Sequence, residues 1–153
     1  MIRPATPHDV PAMLSLHRAS ILTLCKDHYS AEQLTHWTTP LRVELYANLL
    51  PTHQVLVYER SDELAGFAVL DPQLGLINAT YVAPGATGQG IGRALLAALE
   101  QRARAHRLSQ LHLHATLNAV PFYTKLGFVR AGAATNRLPS GIELPCERMH
   151  KQL

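Results

Sequence analysis

Four glycines, Gly85, Gly88, Gly90 and Gly92, fall within the stretch VAPGATGQGIGRALLAALE, residues 82–100. A run with strand character, LINATYV, precedes them, and a long amphipathic pattern with helical spacing follows. Glycines in that setting let the backbone approach a phosphate closely, and a helix N-terminus adds free N–H donors and partial positive charge. The plainer alternative is a tight turn with no ligand. Two phosphate motifs are excluded. Gly85 and Gly90 have the glycine spacing of a P-loop, but Ile91-Gly92 stands where Lys-Ser or Lys-Thr must be. The dinucleotide pattern Gly-x-Gly-x-x-Gly fails because Arg93 occupies the third glycine position, and because the loop follows a strand meander rather than the first strand of a parallel unit.

Other side chains able to do chemistry are few. Tyr123, in NAVPFYTKLGF, offers a phenolic proton; a core aromatic is its alternative. His112 and His114 share one face of the strand pattern QLHLHAT, but two histidines without a third ligand are a weak case for a metal, and none is expected. Cys25 and Cys146 show no Cys-x-x-Cys or Cys/His spacing and read as reduced, structural thiols.

The elements that position these residues follow from periodicity. Thr6-Pro7-His8-Asp9 starts a helix that runs to about Cys25, with Val10, Met13, Leu14, His17, Ile21 and Leu24 at helical spacing. Ser30 and Gln33 form a capping box for a short helix through Trp37, and LRVELYANLL resumes helically up to Pro51. QVLVYER and ELAGFAVLD read as strands joined by a tight turn at Ser61-Asp62, with LGLINATYV as the third strand of the meander. A helix from about Gly90 to His106 buries Ile91, Leu95, Ala98 and Leu99, with Glu100 and Arg104 placed as an i,i+4 pair. After QLHLHAT, Asn118 is expected to cap a short helix ended by Gly127. FVRAG and IELPCERMH close the sheet, and Pro145 marks a bulge or strand end. The order β–α–α–β–β–β–α–β–α–β–β predicts a mixed α+β fold.

The chain as a whole resembles the GNAT superfamily of acyl-CoA N-acyltransferases. YVAP (Tyr81 to Pro84) and TGQGIG (Thr87 to Gly92) match that family's Val-x-Pro strand end and its Arg/Gln-x-x-Gly-x-Gly/Ala loop, and NAVPFYTKLGF (Asn118 to Phe128) matches its later motif. The resemblance implies one N-acetyltransferase domain over residues 1–153, with a central, mostly antiparallel six- to seven-stranded sheet and about four helices. It implies acetyl-CoA (coenzyme A) as cosubstrate, with the pyrophosphate on the N–H groups of Gly88, Gln89, Gly90, Ile91, Gly92 and Arg93. The pantetheine arm would lie along the backbone of Tyr81 and Val82, and Asn118 would touch the cofactor from the other side. Tyr123 matches the family's general acid, which protonates the departing sulfur. Thr87 departs from the usual Arg or Gln, and Arg93 or Lys125 is expected to supply the missing contact. Many members carry a Glu base on the strand before the loop, but that strand has only Asn78 and Thr80 here, leaving a water chain or a histidine.

The resemblance also places acceptor recognition in CKDHYSAEQLTHW and AATNRLPSG, with His28, Tyr29 and Trp37 as candidates. Trp37 equally suits core anchoring. Those stretches hold only Asp27 and Glu32 as acids, so a polycationic acceptor is not favoured. The expected acceptor is an amine on a small molecule or peptide. A non-catalytic acyl-CoA sensor, a hydroxyl acceptor or another acyl chain remain alternatives. Homodimers are common in the family.

Composition agrees with this picture. The 153 residues are 47% hydrophobic and 16% charged, with a net charge of +3, so one folded core is expected and an anionic ligand is favoured. Arg and Lys are scattered rather than clustered, which argues against a nucleic-acid partner. No run approaches the roughly 18 apolar residues of a membrane helix, and MIRPATPHDV lacks a signal-peptide core. A cytoplasmic protein without a membrane partner is expected.

Overall fold

The computed structural model describes residues 1–153. Alternating apolar residues build a meander of β2 (Gln54–Arg60), β3 (Glu63–Asp71) and β4 (Leu76–Val82). Ser61 and Asp62 make the β2–β3 turn with φ of 51° and 63°, the left-handed pair that a two-residue hairpin requires, here without glycine. β1 (Ile2–Pro4) adds to β2. β5 (Gln110–Thr116), β6 (Val129–Arg137) and β7 (Glu143–Gln152) complete a seven-stranded sheet in the order β1-β2-β3-β4-β5-β7-β6. Every neighbouring pair is antiparallel except β4 and β5.

Strand alternation sends residues to two opposite layers. Val55, Val57, Phe67 and Val69 pack against Val10, Met13 and Leu16 of α1 (Val10–Leu24) and Tyr46 of α3 (Val43–Ala47). Leu56, Ala68 and Leu70 face α4 (Ile91–Ala105), whose Ile91, Leu95, Leu96, Leu99 and Ala103 form its buried stripe. Each of those leucines contributes about 1.5–3 kcal/mol through burial. α2 (Ala31–Thr38) covers the far end of the first layer, and α5 (Val120–Lys125) joins the α4 layer through Tyr123. The observed sheet is the expected mostly antiparallel one, with five helices where about four were expected.

Three local expectations are corrected. Glu100 does not pair with Arg104; its carboxylate accepts from Lys151 Nζ of β7 at 2.5 Å, a half-buried partner less screened than a solvent-facing arginine. Pro145 neither bulges nor ends β7, which runs through it in register with Thr135. β5 has ended at that level, and the Pro145 carbonyl faces the resulting gap to accept from the Tyr29 hydroxyl at 2.7 Å, so no ladder bond is lost. Asn118 is not a helix cap: residues Leu117–Ala119 form a 3-10 turn, Ala119 holds the N-cap position of α5, and Asn118 Oδ1 is buried without a partner.

Candidate active site

The site begins where the sheet splits. β4 pairs with β3 along its length but meets β5 only at Leu76↔His112, where the His112 N–H donates to the Gly75 carbonyl at 3.0 Å. Beyond that point the two strands part. The Ala83 N–H donates to the Ala65 carbonyl at 2.9 Å, so alternation turns the main chain of Tyr81 toward Phe67 and that of Thr80 and Val82 toward the gap. Of the two residues expected to offer their backbone there, Val82 does and Tyr81 does not, because β3 already occupies it.

A cavity of about 800 Å³ fills the gap. At one end stands the glycine loop. A 3-10 turn at Pro84–Ala86 leads to Gly88 and Gly90, whose φ values of +74° and +81° are left-handed. Gly90 is the N-cap of α4, and the first bond into the helix runs from the Ala94 N–H to the Gly90 carbonyl at 3.0 Å. The N–H groups of Gly88, Gln89, Gly90, Ile91, Gly92 and Arg93 therefore have no backbone acceptor. A Cβ on Gly85, Gly88 or Gly90 would meet nothing within 4 Å, so the cradle is open. Gly92 serves packing instead: a Cβ there would lie 2.9 Å from the Phe122 ring. Thr87 is exposed at the cavity edge, its hydroxyl donating to the Pro84 carbonyl at 3.2 Å, while Gln89 Oε1 accepts from Arg60. Arg93 and Lys125 both border the cavity at this end.

Ser20, Leu24 and Cys25 wall the other end, with Thr80, Thr116 and Asn118 along the gap. Burial pushes the Cys25 thiol up to about 11, opposed by the neighbouring Asn118 amide. Tyr123 lies behind this wall, 7% exposed, between the rings of Phe122 and Phe128. Burial raises its pKa, and Thr80, which does border the cavity, has its hydroxyl beside the phenol without closing a hydrogen bond to it. His17 lies under Tyr81 with ring centroids 3.9 Å apart and shares a hydrogen bond with the Tyr46 hydroxyl; burial lowers its pKa to about 3. It is no base near neutrality.

The acceptor candidates are not brought to the cavity. The Tyr29 hydroxyl accepts from the Leu117 N–H at 3.1 Å and donates to the Pro145 carbonyl, bridging the place where β5 ends beside β7. Its ring meets Trp37 edge-on at 5.3 Å, within a cluster that includes Ile21, Leu34, Leu138 and Leu144. Both are core residues, and His28 is exposed outside the lining. The residues that do face the cavity and were missed, Ser20, Leu24, Thr80 and Thr116, left one faint signal. Ser20 and Leu24 stand one helical turn apart on α1.

Comparison with known proteins gives this geometry a family. The acetyltransferase (GNAT) domain matches residues 25–143. The chain belongs to the GNAT acetyltransferase family. A GCN5-related N-acetyltransferase from Rhodopseudomonas palustris is 31% identical, with a TM-score of 0.94 over 100% of this chain and 95% of that one. A ribosomal-protein-alanine N-acetyltransferase from Brucella melitensis is 27% identical, with a TM-score of 0.74 over 100% and 99%. The PaiA N-acetyltransferase of Thermoplasma acidophilum, solved with coenzyme A, shares the fold at 21% identity, with a TM-score of 0.81 over 100% and 98%. No curated protein matches the chain. No helix of this GNAT protein is long and apolar enough to cross a membrane.

Proposed function

We propose that residues 1–153 form one acetyltransferase domain that moves the acetyl group of acetyl-CoA directly to a primary amine of a small molecule or peptide. One observation carries the reading: a split sheet whose gap leads to six unpaired N–H groups at the start of a long helix. Those groups and the open glycine cradle suit a pyrophosphate, and Arg93 and Lys125 suit its charge. The Val82 main chain suits a pantetheine arm added as a strand, and the orphaned Asn118 Oδ1 suits one of its amide N–H groups. Acetyl-CoA supplies an activated thioester. Tyr123, kept protonated by burial, is the group we assign to protonate the sulfur; Thr80, whose hydroxyl lies beside the phenol, borders the cavity. The coenzyme A complex of the Thermoplasma relative supports this cosubstrate.

A release assay for free thiol with acetyl-CoA and a panel of amines tests the reading; turnover on at least one amine is expected. The alternative, a non-catalytic acyl-CoA sensor, draws on the place of Tyr123 behind the cavity wall. It predicts tight acetyl-CoA binding and no turnover with any acceptor.

A further inference from the structure

The cavity is electrically one-sided. Its two cations, Arg93 and Lys125, belong to the end formed by α4 and α5. The opposite end is walled by Ser20, Leu24 and Cys25, with Thr80, Thr116 and Asn118 leading to it along the gap, all without formal charge, and no Asp, Glu or His lines any part of the cavity. Two polar atoms there, Thr80 Oγ1 beside the Tyr123 phenol and Asn118 Oδ1, are buried without partners, and both are uncharged. Neither can neutralise a cation.

The ionisable groups packed around that end do not change this. Burial raises the pKa values of the Cys25 and Cys146 thiols and of the Tyr29, Tyr46, Tyr81 and Tyr123 phenols, so all stay uncharged near neutral pH. Burial holds His17 neutral as well. Arg18 on α1 is exposed and positive, Glu147 beside Cys146 on β7 is paired with Arg130 at 3.3 Å, and Lys26, Asp27, His28 and Glu32 are exposed; none of these lines the cavity. An ammonium entering this space would lose its hydration with no counter-charge in exchange, whereas a neutral amine carries no such cost.

We propose that the acceptor is an amine of low basicity, of the arylamine or hydrazide class, which enters as the uncharged free base, and not an alkylammonium or polyamine. This rests on the proposed acetyl-CoA-dependent transfer, with the acceptor meeting the thioester at the α1 end of the cavity. In the transfer the amine nitrogen forms a bond to the carbonyl carbon and the C–S bond breaks. One N–H proton is released and the sulfur leaves as the thiol, so the products are an amide and free coenzyme A. With a free-base acceptor no proton has to leave before attack, and the absence of a carboxylate or charged histidine from the walls is no handicap.

The test is thiol release by the wild-type chain across pH 6 to 9, with an arylamine, a hydrazide and an alkyl diamine, beside a separate titration of acetyl-CoA binding. The arylamine and hydrazide are expected to give a flat kcat/KM. At pH 7 it should exceed that of the diamine by about 100-fold or more, because an alkylamine with a pKa near 10.4 is only about one part in 2,500 free base there. The diamine should gain about tenfold per pH unit. A diamine used as well as the arylamine at pH 7, or one shared inflection near pH 6–7 for all acceptors, overturns the inference and leaves acetyl transfer standing. Acetyl-CoA binding without thiol release from any amine overturns both.

Discussion

The two ends of the cavity are built from different materials. At the α4 end the working groups are main-chain N–H donors, presented by the positive φ of Gly88 and Gly90 and the first turn of a helix. At the α1 end they are side chains, Ser20, Cys25, Thr80 and Asn118, brought together from three separate parts of the chain. A site made of backbone is written in local glycine and helix-start patterns. A site made of side chains depends on which faces meet, and its residues carry no local mark.

That contrast can be pressed by substitution. The largest effect should come from Trp37→Ala, which removes a core ring and is expected to cost about 3–5 kcal/mol of stability in a denaturant melt. Acetyl-CoA affinity of the folded fraction should hardly move; a selective loss of acceptor turnover without destabilisation would return Trp37 to the acceptor site. Tyr123→Phe should lower kcat by about 100-fold or more with acetyl-CoA affinity nearly unchanged. Undiminished turnover would leave Tyr123 as a core aromatic only.

Next comes pH. His17 has a folded pKa lowered to about 3 by burial, against 6.5 for an ordinary histidine. Between those values the unfolded chain binds a proton that the folded chain does not, so stability falls as pH drops below 6.5. The slope approaches about 1.4 kcal/mol per pH unit, or about 2 kcal/mol at pH 5. Urea melts of wild type and His17→Gln should show a flatter dependence in the variant; equal slopes would mean His17 is not held neutral. A change of similar size is expected for Tyr29→Phe, which unbinds the Leu117 N–H and the Pro145 carbonyl at about 1–3 kcal/mol, read as a lowered melting temperature.

The same contrast explains what the sequence disclosed. The meander, the Ser61-Asp62 turn, the long helix after Gly90 and the Gly127 helix stop all rest on local periodicity and turn chemistry, and each is where the pattern puts it. Tyr29 and Trp37 sit in the segment that the family resemblance assigns to acceptor recognition, yet the ring pairing and the Leu117–Tyr29–Pro145 bridge that hold them in the core are long-range and invisible in a linear pattern. Asn118 looked like a cap because it precedes a helix, but the intervening 3-10 turn shifts the cap by one residue and leaves its amide in the cavity. Glu100 found Lys151 rather than Arg104 because β7 lies beside α4, a fact of topology rather than of helical spacing.

The central claim is that the main chain of residues 88–93 holds acetyl-CoA. Calorimetric titration of acetyl-CoA into wild type and Gly90→Val tests it most directly. Valine at φ +81° is strained by about 1–2 kcal/mol, and its side chain enters the open cradle. The account predicts clear binding by wild type and a loss of about tenfold or more in the variant, with circular dichroism showing that α4 persists. Equal affinity in a folded Gly90→Val protein would contradict it.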